Sequence, residues 1–284
     1  MTTPMPNADW IVLPEQQGRQ AWIAALQAAA ARSGRRLHDT DHGDAPADAD
    51  RALLLTASAE KALGRQPDAR RIAAILDTPD VIVPEGVDQA RRHGIVHLAT
   101  QNFARLALLP RNRVFGPDVV DSGALRLFPD LDVMRPEGIR TAPGPMTRAL
   151  EIYSQGKATW SGEVLSWLQP PMHAGGFSTL DLTGRPRTIV HGPYFEIPAG
   201  RWKATFTLSV DDHSARYLFR ADWGGIEVYS SQEFRPWRPG VFEIEMVHDW
   251  AAPGAVEFRL LVMEGVFHGE ISLSDLTVVR VDAP

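Results

Sequence analysis

The hydrophobic period of this sequence changes once, and that change divides the chain. From about residue 188 onward, apolar side chains recur at every second position. Trp202, Ala204, Phe206, Leu208 and Val210 alternate with Lys203, Thr205, Thr207 and Ser209. Tyr217, Phe219, Ala221 and Trp223 alternate with Leu218, Arg220 and Asp222, and Phe242, Ile244 and Met246 alternate with Glu243, Glu245 and Val247. Val256, Phe258, Leu260 and Val262 repeat the pattern against Glu257 and Arg259. Period two is the mark of half-buried antiparallel strands. Pro198-Ala-Gly200, Gly224-Gly225, Pro239-Gly240 and Pro253-Gly254 supply the turns between them. This predicts an all-β half over residues 180–284: an antiparallel β-sandwich, most simply a jelly roll.

The first half follows another rule. Trp10–Leu13, Leu53–Thr56 and Val81–Pro84 are short apolar runs that read as buried strands. Between them lie helical patterns: residues 18–33, with Trp22, Ile23, Leu26, Ala29 and Ala30 on one face, and residues 57–76, interrupted by Pro67. After Pro67 a further helix burying Ile72, Ile75 and Leu76 is expected, because proline fits a first helical turn. Residues 86–93 and 97–109 also read as helical, and Val119 and Leu125–Phe128 as strands. Strands alternating with helices predict a three-layer α/β domain with a parallel sheet, Rossmann- or flavodoxin-like, over residues 8–134. Residues 135–179, rich in proline and glycine, read as a connector. It carries one helix at 146–155 and two tryptophans, Trp160 and Trp167, that pack it down.

Composition narrows the function. At 44% hydrophobic and 23% charged, the chain has ample material for a core. The absence of cysteine excludes disulfides, Fe–S clusters, Cys-ligated zinc and thiol catalysis. A net charge of -6 argues against nucleic acid as a partner. No apolar run is long enough for a membrane span. No secretory signal is visible, and a cytoplasmic location is expected. The cations are almost all arginine, with lysine only at 61, 157 and 203, which suggests the coding bias of a GC-rich bacterium.

Catalytic signatures are missing. There is no Gly-x-Gly-x-x-Gly, no phosphate loop, no Gly-x-Ser-x-Gly and no His-Glu-x-x-His. The polar run from His38 to Asp50 contains Asp39-x-Asp41 and Asp48-x-Asp50, and Asp130-x-Asp132 lies further on. It lacks apolar anchors and reads as an exposed acidic loop rather than a metal site. His93 and His97 read as surface residues separated by Gly94. No catalytic residue, metal or cofactor is therefore expected. The strand ends of the α/β half still offer Glu15, Thr56, Ser58 and Glu85 to a small polar ligand.

The stretch Leu180-Asp-Leu-Thr-Gly-Arg-Pro-Arg-Thr-Ile-Val-His-Gly-Pro-Tyr194, followed by Ile197-Pro-Ala-Gly-Arg-Trp202, resembles the start of a particular jelly-roll module. That module type is attached to bacterial glycosyltransferases and polysaccharide-biosynthesis proteins. Gly269-Glu-Ile-Ser-Leu-Ser-Asp-Leu-Thr-Val-Val-Arg280 is similar to its ending. The resemblance covers residues 180–281. It implies a non-catalytic carbohydrate-binding or accessory protein of surface-polysaccharide biosynthesis, with a glycan and polysaccharide-assembly proteins as partners. Two alternatives are a degenerate glycosyltransferase-like enzyme that binds a sugar nucleotide in its α/β half, and a purely structural assembly module.

Sugars stack on aromatic rings while nearby polar groups bond their hydroxyls. Trp223, Trp237, Tyr229 and Trp250 fall near strand ends or in loops, with Asp222 and Arg235 beside them. These six are the candidate carbohydrate-binding residues. Trp223 shares parity with Phe219 and Ala221, which points it inward. Arg220, Glu243, Glu245, Glu257 and Arg259 read as solvated strand faces.

Overall fold

A computed structural model describes residues 7–14, 16, 18–43, 52–77, 103, 105–116, 124–137 and 144–281. They fall into two compact units, one ending at Gln155 and the other beginning at Gly156.

The first unit is built on five parallel strands: β1 (Asp9–Val12), β2 (Leu37–Asp39), β3 (Leu53–Thr56), β4 (Ile72–Ile75) and β5 (Val114–Phe115). Every residue of β1, β3 and β4 is buried, as expected of parallel strands covered on both faces. Helix α1 (Arg19–Arg32) lays Trp22, Leu26, Ala29 and Ala30 on Ile11, Leu13, Leu53, Leu55 and Ile75. The hairpin of β6 (Ala124–Phe128) and β7 (Leu131–Met134) adds Leu125, Leu127 and Val133 to the same core. Helix α2 (Ala59–Arg65), capped by the Ser58 hydroxyl, lies against β1, β3 and β4. Helix α3 (Pro145–Gln155) closes the unit and packs on β5.

Two expectations change here. The segment after Pro67 is a strand, not a helix. Ile72-Ala-Ala-Ile75 is buried on both faces, so it carries no polar residue from which a period could be read. The strand order is β2-β3-β1-β4-β5. This matches neither the Rossmann nor the flavodoxin order, because β3 lies between β2 and β1. A parallel sheet is present, but the Rossmann-like assignment does not hold. The expected strands at Val81–Pro84 and Val119 and the helix at 86–93 lie outside the described residues. Of the helix expected over 97–109, residues 106–108 form a single 3-10 turn.

The second unit is a sandwich of two antiparallel sheets. One contains β8 (Lys157–Trp160), β10 (Met172–Ala174), β11 (Phe177–Asp181), β13 (Gly200–Val210), β16 (Gly240–Trp250), β18 (Glu270–Ser274) and β19 (Leu276–Val281). The other has the order β15-β14-β17-β12-β9. Its strands are β9 (Ser166–Trp167), β12 (Arg187–Ile197), β14 (Phe219–Gly224), β15 (Tyr229–Phe234) and β17 (Gly254–Val262). The chain changes sheet at nearly every turn from β12 to β18, as in a jelly roll. Between the sheets lie Trp160, Phe195, Trp202, Phe206, Phe219, Trp223 and Phe258, all essentially inaccessible. No helix among the described residues is long and apolar enough to cross a membrane.

Residues read as a connector are divided between the units. Helix α3 belongs to the first. Strand β8 pairs with β19, and β9 pairs with β12. Trp160 is fully buried, 5.6 Å from Trp223 and 6.0 Å from Phe195. A fragment beginning at residue 156 should therefore melt at a higher temperature than one beginning at 177. Near-UV circular dichroism of the two fragments measures this, and equal melting temperatures would show that β8 and β9 add nothing to the core.

Candidate functional site

The six candidate residues fall in three places. Trp223 and Trp250 belong to the core. Trp223 donates its indole N–H to the Trp202 carbonyl at 3.2 Å and lies 5.4 Å from the Trp250 ring. Trp250 is 8% exposed and packs edge-on against His248 at 4.6 Å. Neither ring offers a face to a ligand, so both are corrected to structural roles. Inward parity on β14 and β16 is the cause.

Asp222 and Tyr229 lie on the outer face of the five-stranded sheet. Register sets Ser231, Asp222, Arg259 and His191 side by side across β15, β14, β17 and β12. Asp222 Oδ1 accepts hydrogen bonds from Arg220 Nε and the Ser231 hydroxyl, both at 2.7 Å. Its Oδ2 accepts from Arg259 Nε at 3.0 Å and Nη2 at 2.7 Å. The carboxylate is completely enclosed. Burial alone would raise its pKa, but the bonds from Ser231, Arg220 and Arg259 outweigh it and hold the pKa below the ordinary value.

One row along, Glu257 accepts the hydroxyls of Tyr194, at 2.7 Å, and of Tyr229. The Tyr194 hydroxyl is also 2.6 Å from His191 Nδ1. Burial, followed by the Glu257 contact, pushes Tyr229 up to about 12 and raises Tyr194 as well. Arg259 lies 4.1 Å over the Tyr229 ring. Gly224, opposite Tyr229, admits this close pairing, since a Cβ there would sit 2.3 Å from the Val228 carbonyl oxygen.

Arg220, Glu257 and Arg259 are thus not a freely solvated face. They form a hydrogen-bonded platform with Asp222, Tyr194, Tyr229 and His191. Sequence reading missed His191, Tyr194 and Glu257 as site residues. Alternation put Glu257 on a polar face, but His191 and Tyr194 are three residues apart, and only the register shift between Pro193 and Glu196 brings Tyr194 to the side of His191 and Glu257.

Asp222 makes this platform pH-dependent. Its folded pKa lies below the ordinary carboxylate value, so its stabilisation is complete above about pH 4 and disappears as pH falls through the folded pKa. Replacing Arg220 and Arg259 together by methionine should cost stability at pH 7. The difference from wild type should shrink below about pH 4. Urea titrations at stepped pH measure this, and a difference constant down to pH 2 would contradict it.

Arg235 and Trp237 lie elsewhere, at an end of the sandwich built by residues 211–218, 235–239 and 263–269. Arg235 forms a two-point pair with Glu264, Nη1 to Oε2 at 3.0 Å and Nη2 to Oε1 at 2.6 Å, and also bonds the Arg216 carbonyl. This pairing holds Glu264 below the usual carboxylate range. The guanidinium carbon is 5.0 Å from the centre of the Trp237 ring. Trp237 is 76% exposed, yet its backbone is fixed, with φ 65° and its N–H bonded to the Ala215 carbonyl at 2.8 Å. Phe267, 80% exposed, projects from the same end, where its N–H reaches the Tyr217 hydroxyl at 3.3 Å. A braced, solvent-facing ring beside a guanidinium and a carboxylate can stack on the apolar face of a sugar and bond its hydroxyls.

In the α/β unit, Thr56 and Ser58 stand at the carboxyl end of β3, as expected. Both are engaged: the Thr56 hydroxyl donates to Asp41 at 2.8 Å, and Ser58 caps α2. Asp41 also accepts from the Ala57 N–H and faces Lys61 and Arg19. Asp39 pairs with His42 at 3.0 Å. Among the described residues no three His, Asp or Glu side chains gather as metal ligands. Glu15, Asp44, Asp48, Asp50, Glu85, His93 and His97 lie outside them.

No protein-family model and no curated protein matches the chain. Solved structures with partial similarity include carbohydrate-binding modules. One, described as TmCBM61 in complex with beta-1,4-galactotriose, is 12% identical over 44% of this chain and 87% of its own, with a TM-score of 0.32. A Family 16 Carbohydrate Binding Module-2 is 12% identical over 45% of this chain and 89% of its own, at 0.29. The C-terminal CBM6 of LamC from Zobellia galactanivorans is 13% identical over 44% of this chain and 99% of its own, at 0.30.

Proposed function

We propose that the sandwich unit binds a carbohydrate at the end that carries Trp237, and that the protein is a non-catalytic accessory of bacterial surface-polysaccharide assembly. The observation that carries the binding reading is Trp237 itself. A large ring left 76% exposed costs solubility, and this one is braced from behind by Arg235 and by its own backbone. Arg235 and Glu264, fixed by each other, supply donors and acceptors at set positions beside the ring. The resemblance of residues 180–281 to modules attached to polysaccharide-biosynthesis proteins supports the assembly context.

The test is Trp237→Ala in affinity electrophoresis against a panel of bacterial exopolysaccharides. The variant should keep wild-type near-UV dichroism and melting temperature. It should lose affinity by about tenfold or more, the usual effect of removing an anchoring tryptophan. Undiminished retardation of the folded variant would remove Trp237 from the site. No retardation of wild type by any glycan in the panel would favour a structural assembly role.

A further inference from the structure

We propose that the glycan taken at Trp237 is an acidic one, a polysaccharide whose carboxylates are held by Arg216 and Arg238 beside the ring. The inference rests on the carbohydrate reading of this end of the sandwich and names the class of chain it takes.

Three arginines stand around the anchorage of Trp237, and they are engaged differently. Arg235 lies 5.0 Å from the ring centre and is committed to Glu264 through two hydrogen bonds, at 3.0 and 2.6 Å. That pair cancels its charge. Arg238 directly follows Trp237, and Arg216 directly follows Ala215, whose carbonyl takes the Trp237 N–H. The Arg216 carbonyl takes Arg235 Nη1, so residue 216 is tied to the same corner. Arg216 and Arg238 are both exposed, and neither guanidinium has an ion pair or a hydrogen bond among the described residues.

The charge at this corner is lopsided. Residues 214–218, 235–239 and 263–267 carry three arginines and a single carboxylate, Glu264, an excess of two positive charges in a chain of net charge -6. The neighbouring acids are occupied in other places. Asp211 accepts the N–H groups of Ser214 at 2.7 Å and Glu270 at 3.2 Å, at the start of β18. Asp212 follows it, ahead of the turn at 214–216, and next to it the His213 ring meets His268 at 5.8 Å. Glu233 stands opposite Arg220 across the β14–β15 ladder.

A neutral sugar asks for a ring to stack on and for uncharged hydrogen bonds, and Trp237 with the Arg235–Glu264 pair already supplies both. Two guanidiniums are left over. A carboxylate accepts two parallel N–H groups from a guanidinium in one plane. A single exposed pair contributes little in water. A chain with an acid on successive repeats engages both arginines at once, and linked contacts reinforce each other. The apolar faces of its sugars meet Trp237 and Phe267, 76% and 80% exposed, which a bare anion would not need.

The experiment measures binding of the full chain to alginate, polygalacturonate, hyaluronan and xanthan by titration calorimetry. Each is run beside its carboxyl-reduced form, with polyphosphate as the control polyanion. At least one acidic form should bind about tenfold or more tighter than its reduced form. The double variant Arg216→Gln/Arg238→Gln, with a wild-type melting temperature, should fall to the affinity of the reduced form, and Trp237→Ala should weaken the acidic form as well. Raising salt from about 50 to about 500 mM should weaken wild type and leave the double variant nearly unchanged. Reduced forms that bind as tightly as the acidic ones, or a double variant that binds like wild type, overturn the inference. Reduced forms held through Trp237 then leave the carbohydrate reading standing. Acidic binding that ignores Trp237→Ala, or is matched by polyphosphate, makes the corner a plain polyanion surface and also overturns it. So does the absence of binding to all four acidic chains, while retardation by a neutral glycan keeps the carbohydrate reading.

Discussion

Replacing Trp223 with alanine lowers the stability of the sandwich unit by about 3–5 kcal/mol, the usual cost of truncating a fully buried tryptophan. The ring sits between Trp160 and Trp250 at 5.6 and 5.4 Å, and its indole N–H satisfies the Trp202 carbonyl. Truncation opens a cavity between two aromatic neighbours that are fixed on separate strands and cannot close over it. The Trp202 carbonyl also loses its donor. Urea unfolding followed by near-UV dichroism measures the loss. A cost below about 1 kcal/mol would mean the site can collapse, and would weaken the assignment of Trp223 as a core residue.

Asp9→Ala is expected to cost about 3 kcal/mol in the first unit, because it strands a buried cation. Asp9 Oδ2 pairs with Arg35 Nη2 at 2.6 Å, and its Oδ1 pairs with Arg71 Nε at 2.7 Å. The Arg35 side chain is only 3% exposed and holds the Ala52 carbonyl at 3.3 Å as well. Arg35 keeps its ion pair with Asp130 at 3.2 Å in the variant, but that carboxylate is half exposed. Asp130→Ala should therefore cost less than about 1 kcal/mol, and the contrast between the two variants is the test. Equal losses would show that burial of Asp9 contributes nothing beyond a surface pair.

Much of this architecture could be read from the residues. The apolar runs of β1 and β3, the one-sided face of α1 and the alternation along β13, β14, β16 and β17 each announce their element. β4 could not be read this way, because a strand buried on both faces is all apolar and has no period. β8 and β9 are too short to show an alternation, and their place is set by pairing with β19 and β12, far away in sequence. The candidate site divides along the same line. Trp237 was legible because Pro236 and Pro239 frame it as a loop residue. The enclosure of Asp222 by Arg259 was not, since those residues are neighbours only through register. Charges that look solvated along a strand become a buried network when three strands present them together.

Trp237 has one more consequence. Its φ of 65° places it in the left-handed region, where glycine and asparagine are at ease and a bulky side chain is not. Holding such a residue there costs of order 1–3 kcal/mol, which the surrounding packing has to over-determine. Glycine at 237 would relax the backbone and leave the Ala215 hydrogen bond intact, so selection for folding alone would drift towards it. On the proposed reading, a tryptophan kept in a conformation that suits glycine, with its ring in water, serves the glycan rather than the fold.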